Sequence, residues 1–287
     1  MRFGIMVANT GPLSLPDHFA LMVRTAEAVG FESIWTAEHV LVPVGYQSRY
    51  PYSSRGRMSG GEDLPISDPF LPLAFAAAIT HTLRLATGVI ILPQRHPAYV
   101  AKEAATLDVL SGGRMILGVG VGWLEEESAA VNVPFKERGA RTNEAIRAIR
   151  SLWKAEPEAF EGRFYRWGMV QSHPKPVRAR GVPIVIGGHS AAAARRAARY
   201  GDGFFPGRGD PASLAELLGV MRDECRAIGR DPAEIELTLA LRSWNLDLVR
   251  RYQDLGISRL AIAPPTYAKD ELRAELEAFA QRIMRKA

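Results

Sequence analysis

The 287-residue chain contains one cysteine, Cys225, and six histidines, and it has no apolar run long enough to span a bilayer. A lone cysteine forms no internal disulfide and builds no zinc site, so a reducing, cytoplasmic setting is expected. No two histidines stand at metal-ligand spacing, no His-Glu-x-x-His occurs, and no metal is expected. Lysine is scarce: the formal charge of +5 rests on arginines spread over many segments. Without a basic run, the charge speaks against a nucleic-acid partner and is compatible with an anionic ligand. No histidine follows His189, which excludes a Ser…Asp…His hydrolase built on Gly188-His189-Ser190, and Ala192 stands where a nucleophile elbow needs glycine. The first residues run straight into a strand-like segment rather than a signal peptide, and neither a composition break nor a low-complexity tract divides the chain. A single domain over 1–287 is expected, with no membrane partner.

What remains is regular alternation. Strand-like runs fall at 3–7, 33–36, 85–90, 115–122, 183–186, 203–205, 236–241 and 259–263. Helical segments follow them at 16–29, 68–79, 97–110, 124–130 with 141–154, 191–200, 214–228, 247–255 and 270–285. Eight β-then-α units at this length favour a (β/α)8 TIM barrel with insertions over an open doubly wound sheet. The irregular stretch 44–65, rich in Gly, Ser, Arg, Pro and Tyr, is expected to act as a lid. A second insertion is expected around 156–181, with a hairpin near Gly162.

In a barrel, function gathers at the carboxyl ends of the strands. These ends include Asn9-Thr10, Glu38-His39, Thr87-Gly88-Val89, Gly120-Val121-Gly122, Gly187-Gly188-His189-Ser190, Arg208 and Arg242-Ser243, a set rich in glycine and poor in carboxylates. That composition suits a large flat cofactor better than acid/base hydrolysis. The run Gly118-Val119-Gly120-Val121-Gly122-Trp123 starts like a dinucleotide fingerprint, but Trp123 replaces the third glycine. It reads instead as a strand from which side chains are removed so that a ring can approach the backbone. Trp123 itself could belong to the core or to a pocket wall. Gly187 to Ser190 form either a phosphate-binding turn at a helix start or a simple serine N-cap. His39 is the candidate for binding or proton transfer, with Glu38 orienting it or pairing with an arginine. Arg138 and Arg141 could reach an anion or join a salt-bridge network with Glu144.

Together, Glu38-His39, Asp68-Pro69, segment 85–89, Arg95-His96-Pro97, segments 117–123 and 135–144, segment 186–190 and Gly201-Asp202-Gly203 resemble the bacterial luciferase-like monooxygenase superfamily. Within it they are most similar to the deazaflavin (coenzyme F420)-dependent oxidoreductases. The resemblance runs from the first strand to the last helix; no single motif is specific, but their order is. It implies a barrel, a homodimer, a flavin-like ring at the strand ends, and a non-proline cis peptide that would fall at Gly88-Val89. It further implies that His39 contacts the ring, that Glu38, Thr87, Gly88, Val89, Gly118, Gly120 and Val121 surround it, and that Gly187, Gly188, His189 and Ser190 hold its phosphate. Asn9, Trp123 and Arg208 are expected on the substrate and lid side.

The implied activity is hydride transfer between F420 and a small organic substrate, with a cofactor-reducing enzyme as an expected partner. One alternative is a two-component monooxygenase using reduced FMN and oxygen; another is a flavin-binding barrel without turnover. The sugar-phosphate-oxidising branch has a glutamate just after the glycine strand and a tryptophan four residues after the histidine. Trp123 and Pro43 stand at those places, which disfavours a sugar phosphate.

Overall fold

A computed structural model describes residues 1–241 and 245–287; Arg242 and Ser243, read above as a strand end, lie outside the described residues. The elements are, in order, β1 (Arg2–Met6), α1 (Pro16–Val29), β2 (Ser33–Thr36), α2 (Phe70–Ile79), β3 (Arg84–Thr87), β4 (Ile90–Ile91), α3 (Pro97–Leu110), β5 (Met115–Gly120), α4 (Glu125–Ala130) and α5 (Arg138–Trp153). They continue as β6 (Glu158–Glu161), β7 (Arg166–Val170), β8 (Ile184–Gly187), α6 (Ala191–Tyr200), β9 (Gly203–Phe205), α7 (Pro211–Ala227), β10 (Glu236–Leu241), α8 (Leu246–Asp254), β11 (Arg259–Ile262) and α9 (Lys269–Arg282). Local signals set many of these bounds. Pro16 and Pro211 sit in the first turns of α1 and α7, Asp210 caps α7, and Gly30 closes α1 in the left-handed region at φ 95°.

Eight parallel strands (β1, β2, β3, β5, β8, β9, β10 and β11) pair in sequence, and β3 and β5 join as direct neighbours. With β1 against β11, the sheet closes on itself as the expected (β/α)8 barrel. The expected strand 85–90 is not continuous. It breaks after Thr87 and resumes as β4, which pairs with Val119 and Gly120. The hairpin β6–β7 is antiparallel and separate from the barrel sheet, inside the expected insertion.

Each barrel strand sends one side chain into the central layer. Met6, Trp35, Ala86, Ile116, Val185, Phe205, Ala240 and Ala261 meet there, with Trp35 edge-on to Phe205. The opposite faces of the strands pack against the helices in the larger core, where Phe279 of α9 stacks on Phe31 and meets Phe3 edge-on. At the amino end of the strands, the fully buried guanidinium of Arg259 forms two 2.7 Å bonds to Glu32 and also bonds Glu236 and Thr238. Burial opposes ionisation of Glu32 and Glu236, but Arg259 outweighs it and holds both carboxyls below their ordinary range.

Three predictions concern this scaffold. Arg259→Met removes the buried cation that Glu32 and Glu236 share, leaving them to Arg2 and Arg84, and should cost about 2 kcal/mol in urea unfolding at neutral pH. Because both carboxyls are held low in the fold, their contribution is complete above the ordinary carboxylate pKa and fades as pH falls through the folded values, so the deficit should shrink on acidification. Separately, a Cβ added at Gly219 within α7 meets nothing within 4 Å, so Gly219→Ala should stabilise by about 0.5–1 kcal/mol. A Cβ at Gly118 would run into the Thr87 carbonyl oxygen, and Gly118→Ala should destabilise by about 3 kcal/mol or prevent folding.

Candidate active site

At the carboxyl ends of the strands the third strand bulges. The Gly88–Val89 peptide is cis, at the position the resemblance implied. The bulge is pinned on both sides. The Gly88 N–H donates to the Thr36 carbonyl at 2.6 Å. The Thr87 hydroxyl donates to the Gly118 carbonyl at 2.8 Å and accepts from the Gly118 N–H at 2.9 Å. A Cβ at Gly120 would lie 2.7 Å from Val89 Cγ2, and one at Gly187 would lie 2.7 Å from Val89 Cγ1. The glycines of β5 and β8 therefore vacate space for Thr87 and Val89. Gly118, Gly120, Gly187 and Thr87 are buried. The sequence reading placed a ring directly on the glycine strand; the space there is already filled from within. Gly88, Val89 and Val121 are half-buried, so they form the part of this floor that a ligand can reach.

Glu38 and His39 end β2 and diverge. The Glu38 carboxylate is buried, takes the Ile91 N–H and is bonded by Arg95 Nε at 2.6 Å. Burial raises its pKa, with Arg95 opposing. Glu38 thus pairs with an arginine and secures β4, and it makes no hydrogen bond to His39. The partner of His39 is Glu127 on α4. His39 Nδ1 lies 2.8 Å from Glu127 Oε2, and Glu127 Oε1 accepts the Val40 N–H at 2.8 Å. Trp123 Nε1 donates to His39 Nε2 at 3.3 Å. Glu127 is fully buried, and the sequence reading did not single it out: it is the third of three consecutive glutamates.

The segment 44–65 covers this corner. Tyr46 and Tyr50 meet the Trp123 ring edge-on, with centroids 5.5 and 5.0 Å away. Glu126 anchors the segment by accepting the Gln47 N–H at 2.6 Å, the Ser48 N–H at 3.1 Å and the Ser48 hydroxyl at 2.6 Å. The Ser48 hydroxyl foremost draws its carboxyl down to about 2. Trp123 therefore bridges segment 44–65 and the histidine. Asn9 differs from expectation. It is fully buried, donates to the Ala37 and Ser67 carbonyls and accepts the Ala37 N–H, so it ties loops together and presents nothing to a substrate. Nearby Val7 has φ 51°, an uncommon conformation for a β-branched residue, at the end of β1.

Across the mouth, Gly188 takes φ 128°, which a side chain resists. The Ser190 hydroxyl oxygen accepts the Ala193 N–H and caps α6. His189 and Ser190 are exposed, and His189 Nδ1 lies 3.0 Å from the Pro206 carbonyl. A cavity of about 360 Å³ opens beside this turn, lined by His189, Arg208, Gly209, Asp210, Ala240, Leu248 and Tyr252 and by Pro51 and Tyr52 of segment 44–65; the Asp210 carboxylate is taken up by the Ala212 and Ser213 N–H groups and the Ser213 hydroxyl. Arg208 Nη1 is buried without a hydrogen-bond partner. Burial pushes the Tyr52 hydroxyl up to about 12, so it stays protonated and able to donate. An unpaired guanidinium nitrogen beside a helix start fits a phosphate. Arg141 pairs with Glu137, and Glu144 accepts the N–H groups of residues 163 to 165 instead of an arginine. Arg138 stacks on Phe135 and donates to its carbonyl through Nη1, while its Nε is buried without a hydrogen-bond partner.

Residues 1–244 match the luciferase-like monooxygenase family. An uncharacterized protein of Mycobacterium tuberculosis is 33% identical over 92% of this chain and 94% of its own length. The F420-dependent glucose-6-phosphate dehydrogenase of Nakamurella multipartita is 32% identical over 99% of this chain and 80% of its own length. Among solved structures, monooxygenase RslO1 from Streptomyces bottropensis shares the fold with a TM-score of 0.79, at 23% identity over 100% of this chain and 99% of that one. Barrel, bulge and sequence agree: the chain belongs to the luciferase-like monooxygenase family of oxidoreductases.

Proposed function

We propose that the protein is a coenzyme F420-dependent oxidoreductase acting on a small organic substrate. The observation that carries this reading is the half-buried Gly88–Val89 platform with His39 at the neighbouring strand end. Full-length similarity to an F420-dependent dehydrogenase supports the choice of cofactor. When bound, the deazaflavin supplies hydride transfer, which no side chain of the chain can provide. Gly88 and Val89 would back the ring. The turn from Gly188 to Ser190, with Arg208, would hold the phosphate. His39 would bind or exchange a proton at Nε2 beside the reacting atoms, while segment 44–65 keeps water out. Reduced FMN with oxygen is the second reading, since the family that residues 1–244 match is named for monooxygenases.

Titration of the purified protein with F420 and with FMN separates the two. F420 should bind at least tenfold more tightly, and Arg208→Met should weaken it by about 1.5–3 kcal/mol, the worth of a charged hydrogen bond. Tighter FMN binding with oxygen-dependent turnover would overturn the reading.

We further propose a homodimer. Leu71 and Phe75 of α2 and Tyr99 and Leu110 of α3 are exposed on two helices that pack against each other, an apolar face of the kind that subunits bury. Sedimentation should give twice the 31.5 kDa chain mass, and Leu71→Glu with Phe75→Glu should return the single mass. A wild-type monomer at micromolar concentration would refute this.

A further inference from the structure

The two neighbours of His39 decide where its proton sits. An indole N–H only donates, so the contact from Trp123 Nε1 requires a lone pair on His39 Nε2. A neutral imidazole with a bare Nε2 carries its proton on Nδ1, and that proton points at Glu127 Oε2, 2.8 Å away. Protonating Glu127 toward the ring would leave both ring nitrogens as acceptors, which neutral imidazole cannot be. Both Glu127 oxygens act as acceptors. Its second oxygen accepts the Val40 N–H at 2.8 Å and the Leu41 N–H at 3.4 Å, so neither oxygen lacks a donor. Its side chain is 0% exposed and that of His39 is 9% exposed, so bulk water scarcely competes for these bonds.

We propose that Glu127 and Trp123 together fix His39 as the Nδ1–H tautomer, so that the ring enters the reaction as a proton acceptor at Nε2. Glu127 is then a positioning residue: it acts through His39 and touches neither substrate nor cofactor. A proton arriving at Nε2 creates an imidazolium facing a buried carboxylate, which stabilises it. Trp123 holds the same lone pair while the lid tyrosines Tyr46 and Tyr50 pack on its indole. A substrate hydroxyl reaches Nε2 only by displacing that N–H. This role rests on the oxidoreductase reading, whereas the tautomer itself does not.

The test therefore uses the cofactor-free protein. Protein labelled with 15N-histidine is examined by long-range proton–nitrogen NMR, and His39 is assigned by the signals lost in His39→Gln. The expected wild-type pattern is a pyrrole-like Nδ1 and a pyridine-like Nε2. In Glu127→Gln the amide cannot accept from both the Val40 N–H and the ring, and the pattern should invert or split into two forms. Trp123→Phe should keep the proton on Nδ1. A wild-type His39 protonated on Nε2, or a folded Glu127→Gln with the wild-type pattern, would overturn the proposal. The wild-type pattern decides even if that variant does not fold. The signals of the other five histidines report whether a variant keeps its structure. Loss of F420 binding with the Nδ1–H pattern intact would sink the cofactor reading and leave this assignment standing.

Discussion

The isopropyl group of Val89 fills the space beside Gly120 and Gly187, and the active-site end of the barrel is built on that contact. Two neighbouring strands must lack side chains there for the third strand to bulge inward. Once it has bulged, Thr87 can clamp Gly118 through both its N–H and its carbonyl, and β4 can resume alongside Val119 and Gly120. The resumed strand offers the Ile91 N–H to Glu38, which Arg95 secures. Arg95 in turn reaches Asp68, whose carboxylate accepts the Phe70 N–H at the start of α2. A steric vacancy on one strand is thus transmitted through hydrogen bonds and ion pairs to the strand end that carries His39. The ionic part of that chain costs desolvation, visible in the raised pKa of Glu38, and its value lies in fixing geometry.

The barrel was legible because its signals are local. Strand-length apolar runs, helix starts at Pro16 and Pro97, and the turn at Gly112-Gly113 mark the elements without reference to distant residues. The turn from Gly187 to Ser190 was legible for the same reason, since a glycine pair followed by a capping serine is a contiguous signal. Two other features were not. Glycines at 118 and 120 announce missing side chains, but the atoms that fill the space belong to residues 87 and 89. The polar side chain of Asn9 suggested an exposed strand end, whereas its partners are Ala37 and Ser67, brought near only by the closed barrel. Residues 85–90 read as one apolar run, but the glycine at 88 already marked a bulge within it, and the strand breaks there.

Glu127 shows the limit most clearly. Residues 125, 126 and 127 are all glutamates at the start of a short helix, and sequence alone gives each the same bland role beside a helix N-terminus. Helical rotation of about 100° per residue separates them. Glu125 remains exposed, Glu126 turns to the lid and binds Gln47 and Ser48, and Glu127 turns inward to His39 and Val40. One turn of helix therefore anchors both the lid and the histidine, and Trp123 just before it joins the two.

This arrangement changes what Trp123 means for substrate choice. Glu127, four residues after Trp123, approaches His39 from the side of Nδ1. The indole takes Nε2 and is itself walled by Tyr46 and Tyr50, with Arg57 lying 4.4 Å over the Tyr46 ring. The walls of this corner are mainly aromatic, and Arg57 is already occupied with the Tyr46 ring and carbonyl. On the proposed oxidoreductase reading, a highly charged substrate would lose solvation there without recovering it. A compact molecule with one hydroxyl group would lose little, because its O–H can donate to the nitrogen that Trp123 now holds.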